Sequence, residues 1–68
     1  PTEIKKKIQE AFQRNAELDA NSITVESNGG EVVLKGKVRS WIEREEAERI
    51  AWLAPGVTKV IDQIAVAP

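Results

Sequence analysis

The sequence predicts an α+β fold of element order αββαβ, with two helices packed on one face of a three-stranded mixed β-sheet. Three observations carry this. Ile4, Ile8, Ala11 and Phe12 recur at helical spacing near the start of the chain. Two runs of alternating apolar and polar residues flank Asn28, Gly29 and Gly30, and an Asn-Gly pair between such runs is the strongest short-range hairpin signal. A second helical run begins at Ser40 and passes through Pro55 and Gly56 into a β-rich tail. A strand, helix, strand unit within one sheet requires a parallel pair and a right-handed crossover. The third strand therefore belongs beside the second and parallel to it.

Each element follows from its own residues. Thr2 is placed to cap the first helix, which should reach about Asn15 with Lys5, Lys6, Lys7, Gln9 and Glu10 mostly off its apolar stripe. From Ala16 to Ser22 the short polar side chains of Asp19, Asn21 and Ser22 prefer to bond nearby backbone, so a loop is expected, with Leu18 tucked beneath it. Ile23 and Val25 alternate with Thr24 and Glu26; after the turn Val32, Leu34, Gly36 and Val38 alternate with Val33, Lys35, Lys37 and Arg39. Ser40 with Glu43 forms a capping box for a helix to about Ala54, whose core stripe is Ala47, Ile50, Ala51 and Ala54. Pro55 and Gly56 stop that helix, because proline cannot continue it and glycine accepts the turn that follows. Val57, Val60, Ile61, Ile64 and Val66 then read as the closing strand. Asp62 shares the inward parity of Val60, Ile64 and Val66 and needs a bulge or a backbone hydrogen bond to sit there.

Composition narrows the chemistry. The 68 residues contain no cysteine, histidine, tyrosine or methionine. No disulfide framework, Cys/His metal site or Ser/His or Cys/His nucleophilic pair can be assembled, so no catalytic residue, metal or cofactor is expected. Ten Lys plus Arg against eleven Asp plus Glu give a net charge of −1, which supplies no global field toward nucleic acid or an anionic surface. The apolar runs are far too short for a membrane span. One domain over residues 1–68 is expected, monomeric in isolation. Its start at Pro1 and end at Pro68 suggest excision from a longer protein carrying any targeting signal.

The ordered combination of Ile23, Thr24 and Val25, the Asn28-Gly29 turn, the stretch Val32 to Ser40, Glu43 through Ala51, Pro55-Gly56-Val57 with Val60, and Ile64 with Val66 resembles the BON domain of bacterial outer-membrane and nodulation proteins. The resemblance covers nearly the whole chain. It implies the αββαβ fold, frequent tandem repetition, and a place in the bacterial periplasm or envelope, among osmotically inducible proteins, secreted lipoproteins, secretins and mechanosensitive channels. It also implies attachment to phospholipid membranes, with chaperone activity or potassium binding in some relatives. Gly36 is the family's signature glycine, and there is no catalytic motif to carry over.

Several residues stand out, each with an ordinary alternative. Glycine inside a strand implies a close approach, and a helix crossing tightly over the sheet at Gly36 is the structural reading against a ligand role. Lys35, Lys37 and Arg39, joined by Lys59, share the sheet face away from the helices with Val33, Ile61 and Ala65. They form either a basic strip for anionic headgroups or a solvated face balanced by Glu26 and Glu31. Lys5 to Lys7 read as a solvated helix face. Glu43, Glu45, Glu46 and Glu48 read as helix-stabilising charges, with Glu45 four residues before Arg49. Asn28, Gly29 and Gly30 read as a turn rather than a phosphate nest. Trp41 and Trp52, eleven residues apart, fall on one side of the second helix away from its core stripe, with Ile42 and Leu53 adjoining. That group is expected to be partner-facing, unless Trp41 folds back onto the sheet edge or the first helix.

The leading expectation is a non-catalytic binding module of the bacterial envelope that meets phospholipid surfaces and serves in osmotic or envelope stress. The alternative is a protein–protein or chaperone-like module docking neighbouring domains or clients. Nucleic acid is not expected as a partner, because the chain is near-neutral and its one Phe sits in a core stripe.

Overall fold

Burying Ile8 and Phe12 completely, with Ile4 and Ala11 packed at the margin, is what makes Thr2–Arg14 a helix, α1. The computed structural model describes residues 2–16 and 18–67, save the side chain of Thr2, so the cap expected there lies outside the described residues. The helix ends at Arg14, where the Asn15 N–H donates back to the Phe12 carbonyl at 3.2 Å. Leu18 is buried as expected. The stretch expected to be a plain loop contains one 3₁₀ turn, Ala20–Ser22. Asp19 creates it: its carboxylate accepts from the Asn21 N–H and the Ser22 hydroxyl, both at 3.1 Å.

Strands β1 (Ile23–Asn28) and β2 (Glu31–Val38) pair antiparallel from Ile23 opposite Gly36 to Asn28 opposite Glu31. The hairpin turns at Gly29 and Gly30, with Gly29 at φ 62, a left-handed conformation that glycine adopts without steric cost. The Gly30 carbonyl accepts from the Thr58 N–H at 2.8 Å and so ties this turn to the approach of the last strand.

Helix α2 (Trp41–Leu53) begins at the expected cap, the Ser40 hydroxyl accepting from the Glu43 N–H at 3.3 Å. The reciprocal bond is displaced by one residue, because the Glu43 carboxylate accepts from the Arg39 N–H at 2.8 Å. Pro55 and Gly56 follow its end, and the Val57 N–H closes the turn onto the Ala54 carbonyl.

Strand β3 (Lys59–Val66) lies parallel to β2 in a continuous register from Glu31 opposite Lys59 to Val38 opposite Val66. The sheet order is β1-β2-β3 as expected. Val57, expected within this strand, precedes it and packs on the core from the connection. Both helices cover one sheet face, over a core of Ile8, Phe12, Val25, Val32, Leu34, Ala47 and Ala51, all at most 1 % exposed.

Two inward positions need special chemistry. At Gly36, φ is 136 and a Cβ would run into the Ser22 carbonyl oxygen and lie 3.1 Å from the Ile23 Cα. The close approach is therefore real, but it comes from the backbone entering β1 and not from a helix crossing the sheet. At Asp62 the side chain is 7 % exposed without any bulge. Its Oδ1 accepts from the Ile64 N–H at 3.1 Å and faces the Arg44 Nε at 3.6 Å, while its Oδ2 has no hydrogen-bond partner among the described residues.

Candidate binding surface

Helix α2 turns small residues inward. Ala47 and Ala51 are fully buried and Ile50 nearly so, which lets the helix sit close to the sheet while its larger apolar side chains point away. Trp41 is 65 %, Ile42 70 %, Trp52 47 % and Leu53 69 % exposed. Eleven residues at 100° each bring Trp52 within about 20° of Trp41 around the helix and about 16 Å along it. The four side chains thus form two apolar pairs, one at each end of α2. Between them lie Glu45, Glu48 and Arg49, which with Trp52 line a shallow depression.

Trp41 does not fold back onto the sheet edge or α1. Its ring instead carries the Arg44 guanidinium 5.3 Å from its centroid, a cation–π distance. Arg44 also donates from Nε to the Ile64 carbonyl at 2.9 Å and from Nη2 to the Asp62 carbonyl at 3.2 Å. One side chain therefore fastens α2 to β3, offsets the buried Asp62 carboxylate and braces an exposed indole. Sequence reasoning missed it. The available signal was its spacing, since Arg44, Ala47 and Ala51 fall on one helix stripe facing the strand that carries Asp62.

The charges of α2 pair differently from expectation as well. Arg49 donates to Glu46 at 3.0 and 2.5 Å, not to Glu45, and Glu46 also accepts from the Asn15 side chain at 3.0 Å. A spacing of three residues suits the bidentate Arg fork, and Asn15, just past the end of α1, holds the carboxylate from the other side. The Arg49 hydrogen bonds, aided by Asn15, lower the Glu46 pKa below its ordinary value against partial desolvation; the same pairing raises that of Arg49. Glu45 and Glu48 are left on the outward surface.

The basic residues lie on the opposite side of the molecule, on the uncovered sheet face. Lys35 pairs with Glu26 at 3.4 Å and Lys59 with Glu31 at 3.8 Å, whereas Lys37 and Arg39 have no ion-pair partner among the described residues. Lys59 stands opposite Glu31 and Arg39 lies beyond the strand end, so the strip spans about 26 Å at 3.3 Å per residue and is no cluster. At its centre Val33 and Ile61 are register partners, both half-buried. Lys37 and Arg39 border a depression of about 430 Å³ shared with Asp19, Ser22 and Glu43, a mixed-charge lining. Lys5 to Lys7 are exposed on α1, and only Lys7 borders the groove of about 520 Å³ between the helices. Gly36, Asn28, Gly29 and Gly56 shape the backbone and line none of these depressions, whereas Pro55 borders the groove between the helices.

Among the described residues no group of three or more Asp, Glu, His or Cys is placed to hold a metal, and no helix is long and apolar enough to cross a membrane. The family model for the BON domain matches residues 2–68. A curated relative, "Uncharacterized protein in gshII 5'region" of Anaplasma centrale, is 46 % identical over 46 residues. That match covers 68 % of this chain and 30 % of the relative, so the chain spans under a third of that protein.

Proposed function

The chain belongs to the BON domain family, and on that premise we propose that it is a non-catalytic binding module of the bacterial envelope whose contact surface is the outward side of α2. The observation that carries this is the exposure of Trp41, Ile42, Trp52 and Leu53 on a helix whose core contact is made by small residues. Indole rings and aliphatic side chains with this exposure suit the headgroup boundary of a phospholipid bilayer, where an amphipathic ring gains from both phases. The periplasm and a role in osmotic or envelope stress follow as the setting for such a module.

Vesicle co-sedimentation with Trp52→Ala tests the reading. Losing a half-buried indole contact should weaken binding about tenfold with the fold intact. Unchanged vesicle binding in Trp52→Ala would remove α2 as the membrane surface.

One observation favours a second reading, protein docking. Glu45 and Glu48 stand between the two apolar pairs and would meet anionic headgroups unfavourably, but they suit a partner that presents lysine or arginine.

A further inference from the structure

The two candidate surfaces lie on opposite sides of the sheet, and each sets apolar side chains beside charges opposite in sign to the other's. On α2, Trp52 and Leu53 adjoin Glu48 and Glu45. On the uncovered sheet face, Val33 and Ile61 adjoin Lys35 and Lys37. Spacing agrees too. Glu48 and Glu45 lie about 6 and 10 Å from Trp52 along the helix, and Lys35 and Lys37 about 7 and 13 Å from Val33 along β2. No single flat partner can touch both surfaces of one molecule, whereas copies stacked in the same orientation use both.

We infer that the partner of the α2 surface is a second copy of this chain, which receives Trp52 and Leu53 over Val33 and Ile61 while Glu48 and Glu45 meet Lys35 and Lys37. This rests on α2 being the contact surface and names its occupant. An apolar anchor surrounded by paired charges is the usual anatomy of a specific protein contact. Lys35 leaves Glu26 at small cost, because that pair is solvent-exposed on both sides, 49 % and 55 %. The contact is head-to-tail, one surface of each copy meeting a different surface of the next, so it propagates and does not close. Between free chains it is weak. Where copies are joined in one polypeptide, tethering raises the effective concentration and the contact forms.

Charge reversal tests the pairing. One variant carries Lys35→Glu and Lys37→Glu, the other Glu45→Lys and Glu48→Lys, and circular dichroism melting confirms that each folds. Sedimentation velocity at high concentration should show reversible association of the unaltered chain, weakened about tenfold or more in each variant alone. Mixed, the native pairing forms between the first variant's α2 and the second's sheet face, and the reversed pairing between the second's α2 and the first's sheet face, so an equimolar mixture should regain the association that each variant lacks alone. A strictly monomeric unaltered chain up to millimolar concentration, or a mixture that stays monomeric, overturns the inference. Should either variant fail to fold, Val33→Asp on the solvated face takes its place and must abolish association. Vesicle binding is measured in parallel: its loss in Trp52→Ala without any self-association leaves the membrane reading standing and removes this one.

Discussion

Adding a single methyl group at Gly36 should unfold much of the population, and the structure sets the size of the effect. The residue holds φ at 136, a conformation costing an L side chain about 1–3 kcal/mol. The added Cβ would also run into the Ser22 carbonyl oxygen, which is backbone and cannot rotate aside. Relief requires moving the first residue pair of β1, Ile23 opposite Gly36, and with it the buried Ile23 side chain and the turn held by Asp19. Forced shifts of that kind add about 1–3 kcal/mol. The total, about 2–6 kcal/mol, rivals the 3–5 kcal/mol or so that a core of this size supplies. Gly36→Ala should therefore lower the melting temperature by about 10 °C or more, at roughly 4–8 °C per kcal/mol. Gly29→Ala is the control: φ is 62 and nothing lies within 4 Å of the new methyl, so only the left-handed penalty of about 1–2 kcal/mol applies. Thermal melts followed by circular dichroism decide the matter. Gly36→Ala within about 3 °C of the unaltered chain, or no worse than Gly29→Ala, would refute the close-approach reasoning.

Two further outcomes concern the charged bridges. Arg44→Met strands the buried Asp62 carboxylate and should cost about 2–3 kcal/mol in urea unfolding, more than Asp62→Asn, which keeps the Oδ1 acceptor for the Ile64 N–H and leaves a neutral site; equal losses would show that Arg44 acts only through the two carbonyls. Glu46, with its pKa lowered by Arg49, adds stability that is full above the ordinary glutamate value of about 4.3 and is lost as pH falls through the lower folded value. The melting-temperature gap between the unaltered chain and Glu46→Gln should accordingly narrow on acidification. A gap that stays constant from neutral pH to below 4 or so would mean that Glu46 contributes by packing and not by charge.

Where the residues of an element decide its conformation among themselves, the sequence was readable. Ile8 and Phe12 mark their helix by spacing, Ser40 and Glu43 cap the next, and the Gly29 turn fixes the register that buries Val32 and Leu34. The parallel placement of β3 also followed, because a crossover helix leaves few other topologies. What stayed hidden depends on groups distant in sequence. The obstruction at Gly36 belongs to Ser22, fourteen residues earlier, and the partner of Asp62 is Arg44, eighteen residues earlier. Spacing rules within a helix favoured Glu45 for Arg49, but Asn15, reaching across from just beyond α1, holds Glu46 in position for it instead. Exposure of the α2 residues was legible from their angle to Ala47 and Ala51. The basic residues' place on the sheet face away from the helices was legible from strand parity, whereas the pairing of Lys35 with Glu26 and of Lys59 with Glu31, and the spread of the strip along the strands, emerged only once the layers were assembled.

The two helices use apolar residues in opposite ways, and that difference is the best guide to where function lies. Helix α1 sends its bulk inward, so Ile8 and Phe12 fill the core and its outer surface is left to Lys5, Lys6, Glu10 and other polar groups. Helix α2 sends alanines inward and its bulk outward. Replacing Ala47 or Ala51 by leucine would gain no core, because both are fully buried against the sheet and the space is already filled. Exchanging Trp52 or Leu53 for a charged residue would remove apolar surface that now faces water with no folding benefit in return. Stability alone therefore does not account for the outer residues of α2. Arg44 adds to this, since the side chain that fastens α2 to β3 also lies over the Trp41 ring and holds an exposed indole on a rigid element. A side chain fixed in this way loses less freedom when a partner covers it, so more of the burial energy appears as affinity.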